Sequence, residues 1–109
     1  MAHTTDTLDQ VKQRLAQNEA VLIDVREQDE WNEGHLAAAR LVPLSELKAG
    51  VNGDELAQRV PKDQIVYCHC RSGGRVLPAS GILQQLGYDI RPLKAGYADL
   101  VNAGFEKAT

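Results

Sequence analysis

Ile65-Val66-Tyr67-Cys68-His69-Cys70-Arg71-Ser72-Gly73-Gly74-Arg75 is an apolar run that ends on a thiol, passes through a glycine-softened loop and continues into residues with helical spacing. A strand that feeds a loop opening a helix marks an α/β chain. A nucleophile at that junction faces an anion cradle. Backbone N–H groups can turn inward where Gly73 and Gly74 tolerate unusual φ/ψ, and the helix directs its positive end at the sulfur. Cys70 is therefore predicted to be a nucleophile, a thiolate near neutral pH. The plain alternative for any cysteine is a small buried hydrophobe, but that role needs no Gly-Gly loop, flanking arginines or helix start.

Working outward, Val76, Ala79, Ile82, Leu83 and Leu86 mark one face of a helix over 75–86 that Gly87 stops. Pro78 falls in its first turn, where a missing N–H is tolerated. Upstream, Val21 to Val25 reads as a buried strand. Thr7 and Gln10 form a capping-box pattern for a helix to about Gln17 with Leu8, Val11 and Leu15 on one face. Glu27 to Glu33 reads as a short helix ending at Gly34, and Leu41-Val42 as a short strand before Pro43. Ser45 and Asp54 are the expected N-caps of two small helices, over 46–49 and 55–59. Downstream, Ile90 to Leu93 is a last strand and Tyr97 to Ala103 a last helix, closed by Gly104. Strands alternating with helices, without hairpin turns, predict a parallel sheet covered on both faces, with ligands bound beyond the carboxyl ends of the strands. Asp24, Arg26 and Cys70 all fall there.

The chain of 109 residues is expected to be one domain, 1–109, with one active site. Its net charge of −3 and its scattered basic residues argue against nucleic-acid or membrane partners. Cys68 and Cys70 are too close in sequence for an unstrained bridge, so both read as free thiols, Cys68 in a structural role inside the strand. His69 would face the opposite side of the strand from both cysteines, which disfavours a metal site there. The first residues, Met1 to Asp6, lack the basic start and apolar core of a signal peptide, and the expected location is cytoplasmic. Arg71 is expected at the pocket mouth to hold an oxyanion. Arg75 is expected either to bind the same anion or to brace the loop.

These residues match a family. The chain resembles a single-domain rhodanese (thiosulfate sulfurtransferase-like domain) over roughly Val21 to Phe105. The likeness lies in Leu22-Ile23-Asp24-Val25-Arg26 with Trp31-Asn32-Glu33-Gly34-His35-Leu36, in Val66 to Arg75, and in Leu86-Gly87-Tyr88 with Leu93-Lys94-Ala95-Gly96. The resemblance implies a three-layer α/β/α rhodanese-like fold with a five-stranded parallel sheet, the fifth strand a short one near the N-terminus. It implies that Cys70 takes the outer sulfur of thiosulfate as a persulfide and hands it to cyanide or a thiol acceptor, with thioredoxin or another sulfur-relay protein among the candidates. No metal or organic cofactor is implied. Arg71, Ser72, Gly73, Gly74 and Arg75 would bind substrate, while Asp24, Arg26 and His35 would give structural support and Trp31 would pack. Ala95-Gly96 stands where the family usually shows Gly-Gly, Leu100 where tryptophan is common, Ala38 where glycine is common, and Val76 where a small hydroxyl residue often follows the loop. These departures bear on the pocket rim and the acceptor.

Two other readings compete. A cysteine-loop phosphatase or arsenate reductase also places an arginine after its cysteine, but with five residues between them, because a tetrahedral phosphoryl group needs a larger ring of N–H donors. Here only Arg71 to Gly74 intervene, and the shorter loop suits a single sulfur atom. The other is a persulfide carrier or protein-interaction module with little thiosulfate turnover.

Overall fold

The computed structural model describes residues 1–109 and runs in the order α1 (Leu8–Ala16), β1 (Ala20–Asp24), α2 (Gln28–Glu33), β2 (Ala39–Leu41), α3 (Leu44–Ala49), α4 (Gly53–Arg59), β3 (Ile65–His69), α5 (Val76–Gln85), β4 (Asp89–Pro92) and α6 (Tyr97–Asn102). The strands form one parallel sheet in the order β2-β1-β3-β4. Their two-residue alternation builds the layers. Val21, Ile23, Val66 and Cys68 point to one face, where Leu44 and Leu47 of α3, Leu56 of α4, and Val76, Ala79 and Leu83 of α5 close a core. Leu22 and Tyr67 point to the other, against Val11 of α1, Leu100 of α6, Leu36 and Phe105. A strand buried on both faces is apolar along its length, as Ala20 to Ile23 are, and Asp24 at its carboxyl end is buried with them.

Local chemistry sets the helix ends. The capping box of α1 is formed as its sequence requires: Gln10 N–H donates to Thr7 Oγ1 at 3.1 Å and Thr7 N–H to Gln10 Oε1 at 2.8 Å. The caps expected in the middle region are displaced. Ser45 lies inside α3 and bonds to Glu27, while Asn52, not Asp54, caps α4 by accepting from the N–H groups of Asp54 and Glu55. Asparagine two residues earlier satisfies orphan donors of the first turn and starts the helix two residues sooner.

The sheet has four strands, not the expected five. The segment Met1 to Thr7 does run beside β4, yet it makes a single backbone bond there, Thr4 N–H to Pro92 O at 2.8 Å. Pro92 has no N–H to return, so no ladder propagates.

The connection from β1 leads to β2 on one side, and that from β3 leads to β4 on the other. The strand order therefore reverses between the carboxyl ends of β1 and β3, the position at which such sheets open a crevice. Asp24 and His69, paired across these strands, mark its floor.

Candidate active site

Cys70 leaves the end of β3 and is only 1% exposed. Its Sγ accepts a hydrogen bond from Gly73 N–H at 3.1 Å, and its carbonyl accepts from Tyr97 N–H at 3.0 Å. The amides of Arg71, Ser72, Gly74, Arg75 and Val76 donate to no protein acceptor, and α5 begins directly after them. A loop of unspent N–H groups leading into the positive end of a helix places positive potential near the sulfur.

Two glycines make this loop conformation possible. Gly73 has φ +87°, and a Cβ there would lie 2.5 Å from Lys94 O; a Cβ on Gly96 would lie 1.9 Å from Arg71 O. The Cys70 loop and the loop after β4 thus touch backbone to backbone. Gly74 differs from the sequence expectation, since it has no positive φ and open space where a Cβ would stand.

Around the loop the charged residues separate by role. Asp24 and Arg26 are both buried, and Arg26 wraps the carboxylate with its backbone N–H at 2.9 Å and its Nη2 at 2.8 Å. The same Nη2 reaches Gly34 O at 2.7 Å, and the guanidinium lies 4.4 Å from the Tyr97 ring centre. This pair ties the end of α2 and the start of α6 to β1. Arg75 turns back onto Glu30, Nη1 to Oε1 at 2.6 Å and Nη2 to Oε2 at 2.8 Å, which holds the Glu30 carboxyl down at about 2. Of the two roles open to Arg75, bracing is the one its side chain takes. Arg71 is exposed, makes no ion pair, and with Ser72, Glu33, Gly34, Tyr97 and Ala98 lines a cleft of about 550 Å³. A second cleft, of about 630 Å³, opens on the far side of Ser72. His35 stacks on Trp31 with ring centres 3.6 Å apart and donates from Nδ1 to Trp31 O at 3.0 Å.

Cys68 is remote from this chemistry. It points into the core toward Ser80 Oγ at 3.3 Å, and burial pushes its thiol up to about 12. His69 lies on the opposite face of β3, fully buried, and donates from Nδ1 to Cys70 O at 3.3 Å. Its Nε2 stands 3.7 Å from Asp24 Oδ2 without a hydrogen bond, because the Asp24 oxygens are occupied by Arg26. This is not an ion pair: burial holds His69 below its ordinary 6.5, against the pull of Asp24. The folded state consequently refuses a proton that the unfolded chain accepts, so stability falls as pH drops below 6.5. Urea unfolding between pH 7.5 and about 5.5 should show midpoints decreasing with acid, with a slope of at most about 1.4 kcal/mol per pH unit from this proton. His69→Asn should flatten that slope; an unchanged slope would assign it elsewhere.

Sequence reasoning missed Glu30, Tyr97 and His3. The signal for Glu30 was available as an acidic residue in the first turn after β1. Tyr97 was legible only as a helix start, although its N–H and ring both serve the site. His3, which no motif singles out, donates from Nε2 to Gly73 O at 2.6 Å.

Comparison with known proteins agrees with this geometry. Residues 7–103 match the rhodanese-like domain. The chain is 36% identical over 92 residues to YqhL of Bacillus subtilis, covering 84% of this chain and 68% of that protein. It is 34% identical over 85 residues to a putative mitochondrial thiosulfate sulfurtransferase of Schizosaccharomyces pombe, covering 71% of this chain but 59% of that protein. The structure of the human single-domain sulfurtransferase TSTD1 superposes with a TM-score of 0.76 at 24% identity, over 93% of this chain and 97% of that one, a likeness of fold.

Proposed function

The chain belongs to the rhodanese-like domain family, and from that premise we propose that it is a sulfurtransferase carrying a sulfane sulfur on Cys70. The observation that carries this reading is the Sγ of Cys70, bonded to Gly73 N–H at 3.1 Å inside a six-residue loop of otherwise unspent amides. In the first step the Cys70 thiolate attacks the outer sulfur of thiosulfate. The thiosulfate S–S bond breaks, its electron pair leaves with sulfite, and a Cys70 persulfide remains. In the second step a thiolate or cyanide attacks the outer persulfide sulfur, and the Cys70 thiolate is restored. A thiol acceptor leaves as a persulfide and cyanide as thiocyanate; no outside oxidant is consumed. The amides and the helix start stabilise the anionic persulfide, and Arg71 at the mouth receives the sulfonate end of the donor. Because Cys70 is 1% exposed, a donor must present a slim terminal sulfur, which thiosulfate does.

The test is intact mass after incubation with thiosulfate. The protein should gain one sulfur atom and lose it with dithiothreitol. An unchanged mass with hydrolysis of a generic phosphate ester would replace sulfur transfer by phosphatase chemistry. An unchanged mass without hydrolysis would leave a binding module.

Arg71→Ala should raise KM for thiosulfate about tenfold and change kcat less, since it removes one charge-assisted contact with the donor. Initial rates of thiocyanate formation check it. An equal fall in kcat at unchanged KM would mean that Arg71 acts on the transition state alone.

A further inference from the structure

The segment Met1 to Thr7 makes no strand, yet it is held at three places. Thr4 N–H donates to Pro92 O at 2.8 Å on the outer edge of β4. Asp6 Oδ2 accepts from Arg14 Nη1 at 2.8 Å, Tyr67 OH at 2.7 Å and Arg91 Nη1 at 2.9 Å, which fastens the segment to α1, β3 and β4 together. Between these anchors and the loop lies the third contact, His3 Nε2 to Gly73 O at 2.6 Å. A carbonyl oxygen only accepts, so the His3 nitrogen facing it carries the hydrogen.

Gly73 is the loop's pivot. It holds a positive φ of +87°, its N–H is the one amide bonded to Cys70 Sγ, and its carbonyl is the group His3 holds. A glycine has more backbone freedom than any other residue, so a loop centred on one needs external contacts to keep a single conformation. On one side the Lys94 backbone supplies that contact; on the other it is His3.

We propose that His3 is a positioning residue of the sulfur cradle: its Nε2–H fixes the Gly73 carbonyl and thereby keeps the Gly73 N–H aimed at Cys70 Sγ. This rests on the sulfur-transfer reading for its catalytic consequence, but the orientation of Gly73 is measurable without it. His3 touches no reacting atom, and it acts through Gly73. The segment that looked like a candidate fifth strand is instead a strap from the sheet edge to the active-site loop.

The test uses the full chain with His3→Ala, His3→Gln and His3→Asn. Glutamine places an amide donor about as far from its Cα as histidine places Nε2, and it carries no charge; asparagine stops short. His3→Ala should speed hydrogen exchange of the Gly73 amide about tenfold and lower kcat/KM for thiosulfate by about the same factor, the worth of one ordinary hydrogen bond. His3→Gln should restore both, and His3→Asn neither. Asp6→Asn, which weakens the anchor, should show part of the same exchange effect, and adding His3→Ala to it should give less than the sum of the two. Unchanged Gly73 exchange in His3→Ala, or equal behaviour of the Gln and Asn variants, would overturn the proposal. If the wild-type protein gains no sulfur from thiosulfate, the sulfur-transfer reading fails, while the exchange measurements still decide the role of His3.

Discussion

Cys70→Ser is expected to fold normally, gain no sulfur from thiosulfate and lose sulfur-transfer activity by at least about 10³-fold. The reason is chemical. A serine oxygen at the same place cannot hold a sulfane sulfur in a stable, reversible bond, and at neutral pH it is no nucleophile without a general base. Two imidazoles lie by the loop, and neither is placed as a base: His69 faces the opposite side of the strand and bonds to a carbonyl, and His3 spends its Nε2–H on Gly73 O. The swap is nearly isosteric, and the hydroxyl can still accept from Gly73 N–H, so the thermal midpoint should stay within a few degrees. Intact mass after thiosulfate and a thiocyanate assay check both halves. Retained activity in Cys70→Ser would move the nucleophile elsewhere. Cys68, buried against Ser80 with its thiol pushed up to about 12, cannot replace it.

Gly96→Ala is expected to have the largest effect on stability for the smallest change in mass. The added methyl would lie 1.9 Å from Arg71 O, 2.6 Å from Arg71 C and 3.0 Å from Ser72 N. All three are backbone atoms, so no side chain can swing away, and the Cys70 loop itself must move. A cost of about 3 kcal/mol follows from overpacking at an unyielding contact. Sulfur transfer should fall about 100-fold or more, because displacement of Arg71 and Ser72 redirects the amides of the cradle. Gly74→Ala is the control. It sits one residue beyond Gly73 in the same loop, has no positive φ and meets nothing within 4 Å, so it should be nearly neutral in urea unfolding. Similar losses in both variants would show that the loop tolerates no methyl anywhere and that the close approach is not the cause.

What the sequence made legible is what local physics controls. The alternating strands, the capping box at Thr7, the thiol at a strand end and the short cysteine-to-arginine spacing each depend on neighbours a few residues away. The same spacing left Arg75 between two roles, because its choice depends on Glu30, placed by a different helix. Asp54 was a reasonable cap by type, yet Asn52 wins by starting the helix earlier, a boundary that propensity resolves poorly. The fifth strand failed for a nonlocal reason: the proline at the end of β4 is visible in the sequence, but its lying opposite Thr4 is not. Gly96 could be read as a glycine in a loop; that it presses on the backbone of Arg71 depends on β3 and β4 being neighbours.

The single bond between Thr4 and Pro92 also bears on the exposed edge of the sheet. A strand at the end of a sheet offers an open ladder to any passing chain. Here that ladder is shortened by a proline that cannot donate, flanked by the charges of Asp89 and Arg91, and crossed by a segment that pairs once and then turns away. The segment occupies the outer side of β4 without extending the sheet, so no fresh edge is created beyond it. The structure thereby trades a further strand for a cover, and resistance to edge-to-edge pairing should depend on Asp89, Arg91 and Pro92, which touch no reacting atom.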